Sequence, residues 1–137
     1  MLPPMTRTSS SPDRVAIVVG GLRFASGVSF LIAPHAANKL WGGDPGESGP
    51  TTSLLLRSMG YRDALVGGLL LESGLRGGPD TARWFLASAG ADAADLLGGI
   101  ANHHRLTEEA KRKGIGGAVV GIGVGLLGAA RARRASA

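Results

Sequence analysis

Four apolar segments, each about as long as a membrane-spanning helix, constrain the fold of this chain most strongly. They run from Val15 to Ala33, from about Thr52 to Leu75, from Asp80 to about Asn102, and from about Gly114 to Ala130. Runs of about 17 to 24 residues match the roughly 20 residues that cross a bilayer as an α-helix, whereas strands usually have about 3 to 10 residues. The sequence therefore predicts an all-α fold, a four-helix up-and-down bundle that crosses a membrane.

The boundaries of the segments follow from residues that begin or end helices. Pro34 cannot continue a helix and ends the first segment, and Gly77, Gly78 and Pro79 end the second. Residues 34–51 are rich in Gly and Pro, so we predict a connection there. The predicted organisation is a disordered tail over 1–13, a four-helix domain over 14–131 and a basic tail over 132–137.

The residue composition favours helices that pack at short range. The chain contains 23 glycines but only three Phe, two Trp and one Tyr. Small residues suit helices whose backbones approach each other within a membrane, whereas soluble cores of this size usually contain more aromatic rings. The chain has no cysteine, which excludes disulfides and thiolate metal sites.

The positive charge of the chain points to lipid. The formal net charge is +5, and basic residues flank the apolar segments at 111–113 and 131–134. This arrangement is typical of a surface that faces anionic lipid, and it lacks the interleaved aromatic residues of a nucleic-acid-binding stripe. We therefore expect membrane lipid as a partner and no nucleic acid.

The distribution of basic residues predicts an orientation. The side of the termini carries more of them than the other side: Arg7, Arg14, Arg76, Arg83, Arg131, Arg133 and Arg134 against Lys39, Arg105, Lys111, Arg112 and Lys113. Basic residues concentrate on the cytoplasmic side of membrane proteins. We expect an inner-membrane protein with both termini in the cytoplasm.

The glycines of the last segment fit two patterns. Gly123, Gly125 and Gly128 match the G-x-G-x-x-G fingerprint of dinucleotide-binding folds, but residues 129–137 are too few to complete the βαβ unit that this fingerprint requires. Gly117, Gly121 and Gly125 recur every four residues and so share one helix face. The second pattern predicts a groove against which another helix packs, either within the chain or in a second copy of it.

Six charged residues lie well inside the apolar segments, away from their ends, where charges are costly and usually face the protein interior in pairs. They are Arg23, Arg57, Arg62, Asp63, Asp92 and Asp95. A rise of about 1.5 Å per residue puts all six at depths of about 8 to 16 Å from the same membrane face. Arg57 matches Asp95 in depth, and Arg23 or Arg62 matches Asp92. The sequence thus predicts a buried polar layer whose charges cancel and which fastens three helices together.

Three interpretations of this layer remain open. It is a structural ion-pair network in a membrane protein with a binding or accessory role, which we favour over an enzyme. Alternatively, it serves a membrane enzyme or proton-coupled subunit that uses Asp92 and Asp95. In the third interpretation, the chain is a soluble helical bundle with a polar pocket. We expect no catalytic residue, no cofactor and no metal, because His35, His103 and His104 lack the spacing of metal ligands.

The run "RSMGYRDALVGGLLL" followed by "ADAADLLGG" resembles a pattern in small four-helix membrane proteins of bacteria. These proteins form families of unknown function and are close in size and helix count to the DoxX-like proteins. The resemblance covers roughly residues 14–130 and rests on Arg57, Gly60, Arg62 and Asp63 together with Asp92 and Asp95. It implies a membrane location and a four-helix bundle, with no activity to transfer. DoxX-like proteins have been linked to quinone-related redox chemistry, but the sequence supplies no redox group.

Overall fold

The computed structural model describes residues 11–41 and 49–137. These residues form an all-α fold without a strand, as predicted, but they contain five α-helices and not four. The elements are α1 (Arg14–Ile32), α2 (Pro34–Trp41), α3 (Pro50–Arg76), α4 (Thr81–Ala101), a single 3₁₀ turn (His103–Arg105) and α5 (Glu108–Ser136).

The additional helix, α2, lies in the stretch that we predicted to be a connection. Proline at the first position of a helix does not destabilise it, because the amide hydrogen that proline lacks would have no acceptor within the helix. Pro34 therefore ends α1 and also begins α2, and the Ala37 amide donates to the Ala33 carbonyl at 2.9 Å. Pro34 and Ala37 are buried, which gives this short helix an inner face against the rest of the fold.

Side-chain caps fix the starts of two long helices. The Asp13 carboxylate accepts a hydrogen bond from the Ala16 amide at 3.1 Å at the start of α1, and the Thr107 hydroxyl accepts one from the Ala110 amide at 3.1 Å at the start of α5. Residues 1–10 of the predicted N-terminal tail lie outside the described residues. At the other end, α5 continues to Ser136, through most of the predicted basic tail.

The α1–α3 interface brings two backbones into direct contact. Gly20 and Gly27 of α1 face Gly60 and Gly67 of α3, and the two helices run antiparallel. A Cβ atom at Gly20 would lie 2.8 Å from the Gly67 carbonyl oxygen, and one at Gly60 would lie 2.7 Å from the Gly27 oxygen. Since real Cβ atoms do not approach other atoms so closely, only glycine permits this spacing of the helices.

Each long helix packs antiparallel to the next one along the chain: α1 on α3, α3 on α4, and α4 on α5. Consequently, the start of α1, the end of α3, the start of α4 and the end of α5 lie at one end of the molecule. A small apolar core forms there from Ala16, Leu70, Ala82, Phe85, Ala129 and Ala132. The same end is held by a hydrogen bond from the Asp13 amide to the Gly74 carbonyl at 2.8 Å and by the Arg131–Asp13 ion pair.

Two helices are long and apolar enough to cross a membrane by length and composition. They are α1, with a mean hydropathy of 2.0 over its best window, and α5, with 1.6. Among the described helices, α3 and α4 do not meet the same criterion. The expectation of four membrane helices therefore has this support for two of them.

Candidate functional site

Arg23 lies between three helices and joins them through hydrogen bonds. Its Nη1 donates to Asp92 Oδ2 at 3.0 Å and its Nη2 to Asp92 Oδ1 at 2.9 Å, which makes a bidentate pair between α1 and α4. Nη2 also donates to Asp63 Oδ1 of α3 at 3.2 Å, and Nη1 donates to the Ser88 hydroxyl at 2.9 Å. One guanidinium group therefore fastens α1, α3 and α4 together.

Arg62 repeats this geometry between α3 and α4. Its Nη1 and Nη2 donate to Asp95 Oδ1 and Oδ2 at 2.9 and 2.8 Å, a second bidentate pair. Its Nε and Nη2 donate to Asp63 Oδ1 at 3.2 and 3.1 Å. Because Asp63 Oδ1 also accepts from Arg23, this carboxylate bridges the two bidentate pairs. We refer to Arg23, Arg62, Asp63, Asp92 and Asp95 as the ion-pair network.

Local sequence spacing explains why α4 supplies two carboxylates and a hydroxyl. Ser88, Asp92 and Asp95 are separated by four and three residues, so they share one face of the helix. That face lies towards α1 and α3, and Ser88, the first of the three along the helix, is buried. Ser88 supplies the network with a neutral acceptor, and sequence reasoning missed it because a serine in a helix carries no distinctive signal.

The network is enclosed on one side and open on the other. The side chains of Arg23, Asp92 and Asp63 are 13%, 14% and 15% exposed, whereas those of Arg62 and Asp95 are 32% and 41% exposed. The Nε of Arg23 is buried and has no hydrogen-bond partner among the described residues. The five residues thus lead from a buried arginine to an accessible carboxylate.

Arg57 lies outside the network, and the depth-matched pair of Arg57 with Asp95 is not formed. The side chain of Arg57 is exposed, and its Nε donates to the Leu31 carbonyl at 3.4 Å. Five residues separate Arg57 from Arg62, which turns the helix by about 140° to a different face. Equal position along the helix axes is therefore not sufficient for two charges to meet, and Arg62 pairs with Asp95 in place of Arg57.

The predicted glycine groove of α5 faces the network in part. A Cβ atom at Gly121 would collide with the Asp92 carboxylate, and one at Gly125 would lie 2.8 Å from the Ala89 Cβ. Nothing lies within 4 Å of the corresponding position at Gly117. Two of the three glycines therefore pack against α4 of the same chain.

A second glycine pattern went unrecognised in the sequence. Gly20 and Gly27 of α1, and Gly60, Gly67 and Gly74 of α3, recur every seven residues and line the α1–α3 interface. The signal was present in the spacing, since a seven-residue repeat keeps one face of a helix directed at its neighbour. This interface sets the position of Arg23 relative to Arg62 and Asp63.

The histidines do not assemble a site in the described part of the chain. His103 and His104 are exposed and contact each other edge to face, with ring centroids 5.7 Å apart. His103 Nδ1 lies 2.8 Å from the Ile100 carbonyl oxygen. No group of three or more His, Asp or Glu side chains in residues 11–41 and 49–137 has the arrangement of a metal site.

A comparison with protein families places the chain in one of them. A family model described as a domain of unknown function, DUF4267, matches residues 20–129, which is most of the sequence. The chain belongs to the DUF4267 family. This confirms the resemblance to a family of unknown function, and neither the curated proteins nor the solved structures contain a significant match to the chain.

The DUF4267 region contains every member of the ion-pair network, together with Ser88 and Gly121. Asp13 and Arg131, which pair at the end of the molecule that holds the apolar core, lie outside it. The network therefore lies within the matched region, and that terminal ion pair lies just outside it.

Proposed function

We propose that this DUF4267 protein is a small integral membrane protein with a binding or accessory role, whose long helices α1, α3, α4 and α5 span the bilayer as a bundle. The observation that carries the proposal is the inverted distribution of polarity. The ion-pair network lies between the helices, while large apolar side chains cover the outside.

The outer surface matches what a hydrocarbon solvent requires. Ile32 and Leu127 are 75% and 74% exposed, and Leu22 of α1 and Leu55 of α3 are exposed as well. A soluble protein loses about 1.5 to 3 kcal/mol for each such side chain that it fails to bury, so exposure on several helices is unfavourable in water. In a membrane, the same side chains contact acyl chains. Membrane lipid is therefore the proposed partner of these faces.

The interior matches packing within a membrane. The buried apolar residues are mainly alanine, and Leu70 and Phe85 are the largest fully buried apolar side chains of the described residues. Close contact between helices at glycine and alanine provides dispersion energy in lipid, where burial of apolar area provides little. In this setting, the network fixes which helices meet and in what register.

The proposed orientation has both termini in the cytoplasm and the protein in the inner membrane. Its support is the bundle end that holds the start of α1 and the end of α5, where Arg14, Arg76, Arg83, Arg131, Arg133 and Arg134 lie. A dimer through the α5 groove is not part of the proposal, because α4 already covers Gly121 and Gly125.

A second candidate function, a proton-coupled membrane subunit, is favoured by one specific observation. The network contains more carboxylates than guanidinium groups, and Asp95 lies at its accessible edge. Carboxylates within membrane helices commonly mark proton pathways. In this candidate, the network has a role beyond fixing the helices.

Fractionation and cysteine labelling test the membrane proposal. After cell lysis and an alkaline wash, the chain is expected in the membrane pellet and to need detergent for extraction. The chain has no cysteine, so single substitutions are clean probes. In spheroplasts, whose inner membrane is intact, L22C and L127C should resist a membrane-impermeant maleimide and H104C should react. A137C should react only after lysis.

Two results would overturn this proposal. A monodisperse chain in the supernatant, with L22C as reactive as H104C, would establish a soluble bundle. Reaction of A137C before lysis, with H104C protected, would keep the membrane location but invert the orientation.

A further inference from the structure

We propose that the ion-pair network binds one proton per chain, so that its five side chains together are electrically neutral. The inference rests on the proposed membrane location, because a low-dielectric surrounding is what makes an uncompensated charge costly. The geometry that supports it is the way in which two arginines divide three carboxylates between them.

The pairing leaves one carboxylate in surplus. Arg23 holds Asp92 through both oxygens and Arg62 holds Asp95 in the same way, so each of these pairs is neutral by itself. Asp63 is the third carboxylate, and both arginines bond to its single oxygen Oδ1. With all groups ionised, the network carries one negative charge.

The neighbouring helices do not supply the missing positive charge. The charged groups that face the network are Arg23 from α1, Arg62 and Asp63 from α3, and Asp92 and Asp95 from α4, while α5 presents Gly121. Among the described residues, no further ion pair reaches these five side chains. Arg57 is directed to another face of α3, where it bonds to Leu31.

A net charge between membrane helices is unfavourable in free energy, and a carboxylate removes it by taking up a proton. A proton from water that binds one of the three carboxylates cancels the surplus without a new ligand. Because the three carboxylates share two guanidinium groups, the proton belongs to the network and not to one residue. Asp95 is the most exposed member and provides the route by which the proton enters and leaves.

Infrared difference spectroscopy on the purified full-length protein in lipid nanodiscs tests the proposal. At neutral pH, the wild type should show the C=O stretch of a protonated carboxyl group that corresponds to one group per chain and shifts in deuterated water. The variants D63N, D92N and D95N each leave two carboxylates for two arginines, so each should lose this band. D80N changes an exposed carboxylate outside the network and should retain it.

Removal of a positive charge should increase the band, so this result cannot be confused with a band that is lost because a variant fails to fold. R62Q removes one positive charge and should double the band, because the network then needs two protons. D95N alters the most exposed member, so it serves as the charge-balanced variant that is least disturbing to the fold.

Three outcomes would overturn the proposal. The first is a wild type without the band, and the second is a band that survives in D63N, D92N and D95N alike. The third is a network that holds an alkali cation, in which exchanging sodium for choline in the buffer makes the band appear. If these occur while the chain remains in the membrane pellet, the proton inference alone fails. A chain that is found in the supernatant contradicts the membrane proposal itself.

Discussion

Gly121 of α5 faces the carboxylate of Asp92 on α4, and a methyl group at position 121 would occupy the space that this carboxylate fills. The carboxylate lies there because both of its oxygens bond to Arg23 of α1. The absence of a side chain on α5 therefore makes room for an ion pair between two other helices. The fourth long helix is coupled to the network although it contributes no charge.

The first prediction concerns this coupling. G121A should lower the free energy of unfolding by about 1 to 3 kcal/mol, because overpacking a close contact forces the carboxylate or the helix to move. Reversible unfolding in mixed detergent micelles measures the change. G117A lies one turn earlier, with open space around its Cβ, and is the matched control.

The control should be neutral or slightly stabilising, since alanine exceeds glycine in helix propensity by up to about 1 kcal/mol. Equal stabilities for G117A and G121A would show that the contact between Gly121 and Asp92 does not constrain the fold.

Periodicity in the sequence predicted the long helices well, because apolar runs bounded by Pro34 and by Gly77 have few alternatives to a helix. The apolar segments also singled out six charges, five of which form the network. It did not predict their partners: helix depth alone paired Arg57 with Asp95, and depth carries no information about the direction in which a side chain points. The α2 helix was missed because Pro34 signals both the end of one helix and the start of another.

The second prediction separates two roles of Asp13, which caps α1 and pairs with Arg131. D13A removes both interactions and should cost about 1 to 2 kcal/mol of stability, mostly through the lost cap. D13S keeps an oxygen for the Ala16 amide and loses only the ion pair, whose Arg131 side chain is half-exposed. D13S should therefore lose less than about 1 kcal/mol. If both variants unfold at the same denaturant concentration, the ion pair and not the cap holds this end.

The third prediction addresses the contact of α1 with α3. A Cβ atom at Gly67 would lie 2.5 Å from the Phe24 amide nitrogen and 2.9 Å from the Arg23 Cβ. Backbone atoms of α1 can move only together with the helix. G67A should therefore separate the two helices and lower the free energy of unfolding by about 1 to 3 kcal/mol. G21A is the control, because Gly21 lies in α1 with nothing within 4 Å of its Cβ position.

A distance measurement between spin labels on α1 and α3 provides a second readout. The distance between the labels should be larger in G67A than in the wild type and unchanged in G21A. Unchanged spacing together with unchanged stability would argue against backbone contact at this interface.

The fourth prediction concerns the arginine that joins three helices. R23M keeps much of the side-chain length but leaves Asp92 without its bidentate partner and Asp63 with only Arg62. Breaking a buried ion pair from one side costs about 3 to 5 kcal/mol, because the carboxylate that remains has lost its partner and must be buried as a charge or take up a proton. R57M removes an exposed arginine that has no ion pair among the described residues, and it should change stability by less than about 0.5 kcal/mol.

The pair of variants also tests the assignment of partners. In the double variant R23M/D92N, both members of the ion pair are neutral, so part of the loss in R23M should be recovered. If R57M lost as much stability as R23M, or if R23M/D92N were no more stable than R23M, Arg23 would not be the residue through which α1 holds α4. Chemical denaturation of the wild type, R23M, R57M and R23M/D92N in the same detergent compares them directly.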